Sequence, residues 1–411
     1  MSKYVIIGNS AAAVGCVEGI RQIDCTGSIT ILSSEAYHTY SRPLISYLLL
    51  GKTDEQRMKY RPDDFYQKNG CEVRLGARAA SIDAGKRVVT LTGGEEIAYE
   101  QLLVATGSKP FVPPMEGLET VRNKFSFMSL DDAKALDAAL APGGKVLIVG
   151  AGLIGLKCAE GIAKKAGSIT VVDLAGRILP SILDEEGSVL VQKHLEAHGI
   201  RFYLSDSVAS FAETSAVMKS GTTVDFDVLV VAVGVRPNTE LVQAAGGAVK
   251  RGIETDERCQ TTLAHVYAAG DCAESYDITT GTRRPLALLP NAYMQGECAG
   301  INMAGGYRVF DHAMPMNAIG FFGYHMITAG SYDGDAYTVK DGENYKKLFT
   351  KDGLLCGFIL IGAVERAGIY TSLIRERTPL STVDFGLICE KPQLMAFTKR
   401  ERAAKLGGRI Q

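Results

Sequence analysis

Short, uninterrupted apolar runs that close on glycine set the rhythm of this chain. Tyr4 to Ile7 leads to Gly8, and Leu102-Leu103-Val104 leads through Ala105-Thr106 to Gly107. Val146 to Val149 leads to Gly150, Val228 to Val233 to Gly234, and Val266 to Ala269 to Gly270. A run apolar at successive positions reads as a strand buried on both faces, as in a parallel sheet covered by helices. After Gly8 a helical face carries Ala12, Ala13, Val17 and Ile20, and after Gly150 another carries Ile154, Cys158 and Ile162. Second strands follow at Ser28–Leu32 and Ile169–Val172. Residues 79–103 read as a meander turning at Gly93-Gly94, and a later one turns at Ser220-Gly221. The same order therefore occurs twice: βαβ unit, meander, buried strand, glycine. From about Phe310 short strands alternate with Asp341-Gly342 and Asp352-Gly353 turns, the mark of antiparallel hairpins. Helical segments are predicted near Val364–Arg375 and Pro392–Lys405.

The glycine turns carry the candidate chemistry. Gly150-x-Gly152-x-x-Gly155 sits between a strand and a helix, and the next strand ends on Asp173. The first glycine allows the tight turn, the second lets backbone approach a pyrophosphate, and the third lets helix lie close on strand. Leu153 and Ile154 open the helix, whose N-terminal N–H groups face the phosphates. Asp173 is placed to accept from a ribose 2′-hydroxyl. In the earlier unit, Gly8-x-Ser10-x-x-Ala13 keeps one glycine of three, with Glu35 just past the second strand. That degraded pattern fits either a nucleotide site or an ordinary βαβ unit. Gly270-Asp271 stands at the carboxyl end of its strand, where α/β sheets place ligands. Leu289-Pro290-Asn291-Ala292 precedes a helix whose N-terminus suits an anion. Arg42, expected to be extended before Pro43, is either a phosphate fork or a solvated loop arginine.

Composition narrows the class. The 411 residues suffice for two or three domains, and a formal charge of −2 argues against a nucleic-acid binder. No apolar run has the length of a membrane span, and the N-terminus enters a strand directly, so a cytoplasmic protein without a signal peptide is expected. Nine cysteines occur without a C-x-x-C pair, which suits a reducing compartment and leaves no standard iron–sulfur or zinc motif. His194 and His198 lie four apart on a helix predicted over Ser188–His198, but no third ligand has metal-site spacing, so no metal is expected. The basic tail TKRERAAKLGGR reads as a solvated helix or a dock for an acidic partner.

Together these motifs resemble the FAD-dependent pyridine nucleotide-disulfide oxidoreductase superfamily, over residues 1 to about 380. Within it, YSRPLIS and GAGLIGLKCAE are similar to NADH:rubredoxin and ferredoxin reductases and to the flavin module of NADH-dependent nitrite reductases. The resemblance implies an α/β fold with two Rossmann-like domains and a C-terminal α+β domain bearing an antiparallel sheet. The FAD domain would occupy 1–118 and 239–309, split by an NAD domain at 119–238, with an interface domain at 310–411 covering the flavin. FAD would be held by Gly8, Ser10, Ala12 and Ala13, by Glu35 at the adenosine ribose, by Arg42 and Pro43, and by Ala79. Ala105, Thr106, Gly107, Gly270 and Asp271 would complete that site, together with Leu289, Pro290 and Ala292 at a helix that stabilises reduced flavin. NAD would lie against Gly150, Gly152, Leu153, Ile154, Gly155, Asp173, Val233 and Gly234.

Departures from the superfamily shape the expected activity. No cysteine lies in the Ser41–Ser46 segment, where disulfide reductases carry a redox pair and NADH oxidases a single cysteine. Tyr47 stands where many relatives have lysine, and Lys157 where they have glutamate, so the usual cation beside the flavin and its acidic partner are both expected to be missing. Lys157 is then expected in the first turn of its helix, supplying the cation from the opposite wall. The implied function is NADH-dependent reduction of FAD, with electrons passed to a separate iron–sulfur or rubredoxin-type protein or subunit. An NADH oxidase and a redox-sensing interaction protein are the alternatives.

Overall fold

The computed structural model describes residues 2–407, so Gly408 and Arg409 of the basic tail lie outside the described residues. The chain forms two compact units. Of the described residues, one holds those up to Ile178, Gly199–Tyr276 and Thr282–Ala313, and the other holds Leu179–His198, Asp277–Gly281 and those from Met314.

The first unit contains two parallel sheets. In one, strands run in the order Cys71–Arg74, Ile29–Leu32, Ser2–Ile7, Glu96–Val104, all parallel. Glu96–Val104 serves two further neighbours: its first half pairs antiparallel with Val88–Leu91 of the meander, and its last residues pair in parallel with Val266–Ala268. The second sheet runs Ile200–Leu204, Ser168–Asp173, Lys145–Val149, Val228–Val231, Lys124–Phe125, also all parallel. Val146–Val149 and Val228–Val231 are buried throughout, as expected of strands covered on both faces. The last strand stops at Val231 rather than Val233, because the chain turns there to bring Gly234 to φ +126°.

The two halves match in detail. Gly8 N–H donates to Leu32 O and Gly150 N–H to Val172 O, both at 2.8 Å. Their equivalent tails also pair: Ser108–Pro110 runs antiparallel to Val235–Pro237, joining the halves by a short ribbon.

The second unit is an antiparallel sheet in the order Met316–Phe321, Tyr324–Gly330, Leu354–Ile361, Asn344–Lys351, Asp335–Asp341. Asp352 and Gly353 form the tip of one hairpin, as expected. The Asp341-Gly342 turn is shifted by one residue: Asp341 pairs with Asn344, so Gly342-Glu343 make the tip, with Gly342 at φ +59°. The helix expected from Val364 starts at Ala367, after Arg366 in a left-handed conformation. The segment expected to be helical over Pro392–Lys405 is broken. Phe385–Glu390 is a separate helix before Pro392, and Lys399–Leu406 begins only where Thr398 and Glu401 form a capping box.

The helix expected over Ser188–His198 spans Glu185–Ala197, and it belongs to this second unit. It starts early because Asp184 caps Gly187 N at 3.0 Å, while also accepting from Tyr345 at 2.6 Å and Lys347 at 2.8 Å. His194 Nε2 lies 3.0 Å from Phe321 O, and His198 stacks on Phe322 with an interplanar angle of 8°. Among the described residues no cluster of three metal-ligating side chains forms.

Candidate active site

Two helices build the first cradle. Ala11–Ile23 follows Gly8, and Leu289–Met303 carries Pro290 in its first turn. They touch through glycine. A Cβ on Gly296 would lie 2.0 Å from Ala12 O, and one on Gly300 would lie 2.2 Å from Cys16 O. In return, Cβ atoms on Gly15 and Gly19 would lie 2.2 Å from Tyr293 O and 2.3 Å from Glu297 O. Contact partners rise together along both helices, so the helices run parallel and their N-termini meet at one end.

That end is where the candidate residues gather. Gly8 adopts φ +117°, and a Cβ there would lie 2.1 Å from Ala105 O, so no other residue fits. A Cβ on Gly270 would lie 3.2 Å from the Ala12 side chain and 3.6 Å from that of Ala292. Neither N-cap, Ser10 or Leu288, supplies a side-chain cap. By contrast the helices starting at Leu130 and Glu185 are capped by Ser129 and Asp184. Two adjoining N-termini without side-chain caps present N–H donors and the positive ends of two helix dipoles to one place. A pyrophosphate fits this arrangement.

Asp271 sits beside it and accepts from Ser108 Oγ at 3.1 Å. Burial raises its carboxyl above the ordinary value, opposed by the Ser108 bond and the charge of Arg42. Thr106 and Asn238 clasp the loop, with Thr106 Oγ1 donating to Asn238 O at 2.7 Å and Asn238 Nδ2 to Thr106 O at 2.9 Å. Gly107 has open space on its Cβ side. Arg42 is not extended. It opens a 3₁₀ turn, Arg42–Leu44, with Pro43 where a missing N–H costs nothing. Arg42 and Glu35, to which the resemblance gives separate ligands, form an ion pair with each other; Tyr40 also donates to Glu35, at 2.7 Å. Ala79 opens the meander strand and pairs with Leu91.

The second cradle repeats the first. Gly150 adopts φ +117°, with its Cβ position 2.3 Å from Ala232 O. A Cβ on Gly155 would lie 2.0 Å from Gly150 O, whereas Gly152 faces open space and begins the helix Leu153–Ile162 without a side-chain cap. Gly152 is thus the position where a ligand can come close to backbone. Ile154 lies in the first turn of that helix, and Val233 is 37% exposed beside Gly234. Asp173 accepts from Ala151 N at 2.6 Å and from Ala175 N at 2.8 Å, so its carboxylate ties the glycine turn to the following loop.

Lys157 occupies the second turn of its helix rather than the first, and it forms an ion pair with Glu160. Its Nζ lies 4.4 Å from the centre of the Tyr47 ring. Sequence reasoning also missed Gln295 and Asn9. Gln295, buried, takes the Gly270 N–H at 2.9 Å, and Asn9 accepts from Tyr66 at 2.8 Å beside the first glycine turn. A lone amide in a helix or turn gives no pattern to read.

Residues 2–296 match the family model described as pyridine nucleotide-disulphide oxidoreductase. The chain belongs to this family. It is therefore an oxidoreductase that uses FAD and a pyridine nucleotide. The epsilon subunit of an NADH-dependent phenylglyoxylate dehydrogenase from Aromatoleum evansii is 33% identical over 393 residues, covering 92% of this chain and 93% of that one. A rubredoxin-NAD(+) reductase from Pseudomonas putida is 31% identical over 307 residues, covering 73% of this chain and 80% of its own length. Among solved structures, an NAD-dependent persulfide reductase from A. fulgidus matches with a TM-score of 0.85 at 26% identity, over 93% of this chain and 78% of that one. No described helix is long and apolar enough to cross a membrane.

Proposed function

We propose that the protein is an NADH-dependent FAD reductase that hands electrons to an iron–sulfur or rubredoxin-type protein or to a partner subunit. The observation that carries this reading is the repeated cradle: Gly8 against Ala105 O and Gly150 against Ala232 O, each followed by a helix N-terminus without a side-chain cap. FAD, when bound, supplies the chemistry that takes two electrons as hydride from NADH and releases them one at a time.

The chain's own residues bind, align and exclude. In this reading Gly8, Ser10, Ala12, Ala13 and the Leu289-Pro290-Ala292 helix start hold the FAD pyrophosphate, and Asp271 accepts from the ribitol hydroxyls. The Gly150-Gly152-Gly155 turn, with Leu153 and Ile154, holds the pyrophosphate of NADH. Asp173 accepts from its free ribose hydroxyl and repels a 2′-phosphate, which favours NADH over NADPH by roughly tenfold or more. Lys157 and Tyr47 stand at the meeting of the halves as the pair nearest the reaction. In this reading 1–118 and 239–309 serve FAD, 119–238 serves NAD and 310–411 forms an interface domain. A cytoplasmic location goes with it, supported by nine cysteines without a C-x-x-C pair.

The acceptor follows from what surrounds Arg42. The Ser41–Ser46 segment holds no thiol to receive electrons from the flavin, and relatives are named for rubredoxin and as a dehydrogenase subunit. Steady-state turnover with NADH should be faster with ferricyanide or a small iron–sulfur protein than with oxygen, glutathione disulfide or peroxide. Disulfide reductase activity that is lost on replacing one of the nine cysteines would overturn the assignment.

A further inference from the structure

A buried ion pair stands where the two nucleotide halves meet. The Lys157 side chain is 13% exposed and that of Glu160 only 2%, one turn apart on the helix that starts at the second glycine turn. Tyr47, under the Lys157 ammonium, belongs to the other half, on the short helix Ile45–Leu49. The two helices lie close enough that a Cβ on Gly161 would be 3.2 Å from Ser46 O. A buried pair of this kind is a weak stabiliser, because desolvation offsets much of its attraction. The ring attracts the ammonium, but a face alone does not fix the direction of a flexible four-carbon stem. A carboxylate at i+3, itself held in the helix and out of water, does.

We propose that Glu160 is a positioning residue: its buried carboxylate fixes the Lys157 ammonium over Tyr47, at the seam between the halves. The proposal rests on the reading that Lys157 is the cation facing the flavin. In this role Glu160 acts through Lys157 rather than on the cofactor.

This assignment makes a prediction of sign. Removing a nearby carboxylate, taken alone, raises the midpoint potential of bound FAD, since negative charge opposes electron uptake. Removing the anchor of a cation lowers it, since the ammonium leaves its place. The experiment measures the midpoint potential of bound FAD, with FAD content and thermal unfolding, in Lys157→Met, Glu160→Gln, Glu160→Asp and the Lys157→Met/Glu160→Gln pair. Expected are a lowered potential in Lys157→Met and in Glu160→Gln, a smaller shift in Glu160→Asp, and a double variant no lower than Lys157→Met. Rates of flavin reduction by NADH should fall about tenfold in both single variants. If Glu160→Gln fails to fold, the retained charge of Glu160→Asp still decides: an unshifted or raised potential there refutes anchoring. A lowered potential in Lys157→Met with an unchanged or raised one in Glu160→Gln overturns the role of Glu160 alone. An unchanged potential in Lys157→Met overturns the reading of Lys157 and this proposal with it.

Discussion

Replacing Gly296 by alanine should damage the FAD site from a distance. The new Cβ would lie 2.0 Å from Ala12 O, where ordinary contact begins at 3.4 Å, so the helices must part by more than an ångström. The obstructing atom is backbone within a helix, and the next contact, Gly300 on Cys16 O at 2.2 Å, is as tight, so tilting about one point gives no relief. Overpacking of this kind costs about 1–3 kcal/mol. The separation also moves the start of Leu289–Met303 away from the start of Ala11–Ile23, weakening a two-dipole anion site. Each helix N-terminus contributes about 0.3–1 kcal/mol to a bound anion, up to about 2 when partly buried. Disturbing both should raise the Kd for FAD by roughly ten- to hundredfold. Fluorescence titration of the apoprotein with FAD, beside thermal unfolding, measures both effects. Gly368→Ala is the control, in a helix with nothing within 4 Å of the new methyl, and should leave FAD affinity alone. Wild-type FAD affinity in Gly296→Ala would refute the claim that the paired N-termini form the cradle.

The glycines of the second turn should separate fold from binding. Gly152→Ala points into open space, so unfolding should be unchanged while KM for NADH rises by tenfold or more, whereas Gly155→Ala, 2.0 Å from Gly150 O, should lower stability by about 1–3 kcal/mol and weaken NADH binding together. Equal stability losses in the two would contradict their assigned tasks. Asp173→Ala should narrow the preference for NADH over NADPH, and kcat/KM for the two cofactors checks it; a wild-type protein without preference would refute the role of Asp173. The Asp184 cap should give the second unit a pH-dependent stability. Burial alone would raise this carboxyl, but donation from Lys347, Tyr345 and the Gly187 N–H holds it below the ordinary value of 3.8. A depressed folded value means the stabilisation is complete above the unfolded pKa and is lost as pH falls through the folded one. Asp184→Asn should therefore cost about 1–2 kcal/mol near neutral pH and progressively less below about pH 4, read by unfolding across pH.

Periodicity and glycine spacing revealed what is repeated and local. Gly8 and Gly150 can be read as equivalent because each ends an apolar run, and the structure gives both the same φ and the same kind of carbonyl neighbour. The parallel sheets were legible for the same reason: strands buried on both faces leave a continuous apolar signature. What stayed hidden depends on contacts distant in sequence. Nothing local says that Ser108–Pro110 pairs with Val235–Pro237, or that Gln295 holds the N–H of Gly270. The glycines at 15, 19, 296 and 300 look like helix-weakening residues until two backbones meet over them. Glu160 was overlooked because a charged residue in a helix is ordinarily solvated, and its burial depends on the approach of Ile45–Leu49. The helix expected from Pro392 begins only at Lys399, because the Thr398–Glu401 capping box sets its start locally.

If two equivalent cradles bring NADH and FAD together for electron transfer, anaerobic rapid mixing of FAD-loaded protein with NADH records that transfer. The flavin absorbance band should bleach in a single turnover, and it should return on addition of a one-electron acceptor such as ferricyanide without any thiol reagent. Protein that binds FAD yet keeps its full flavin absorbance in excess NADH would exclude this arrangement.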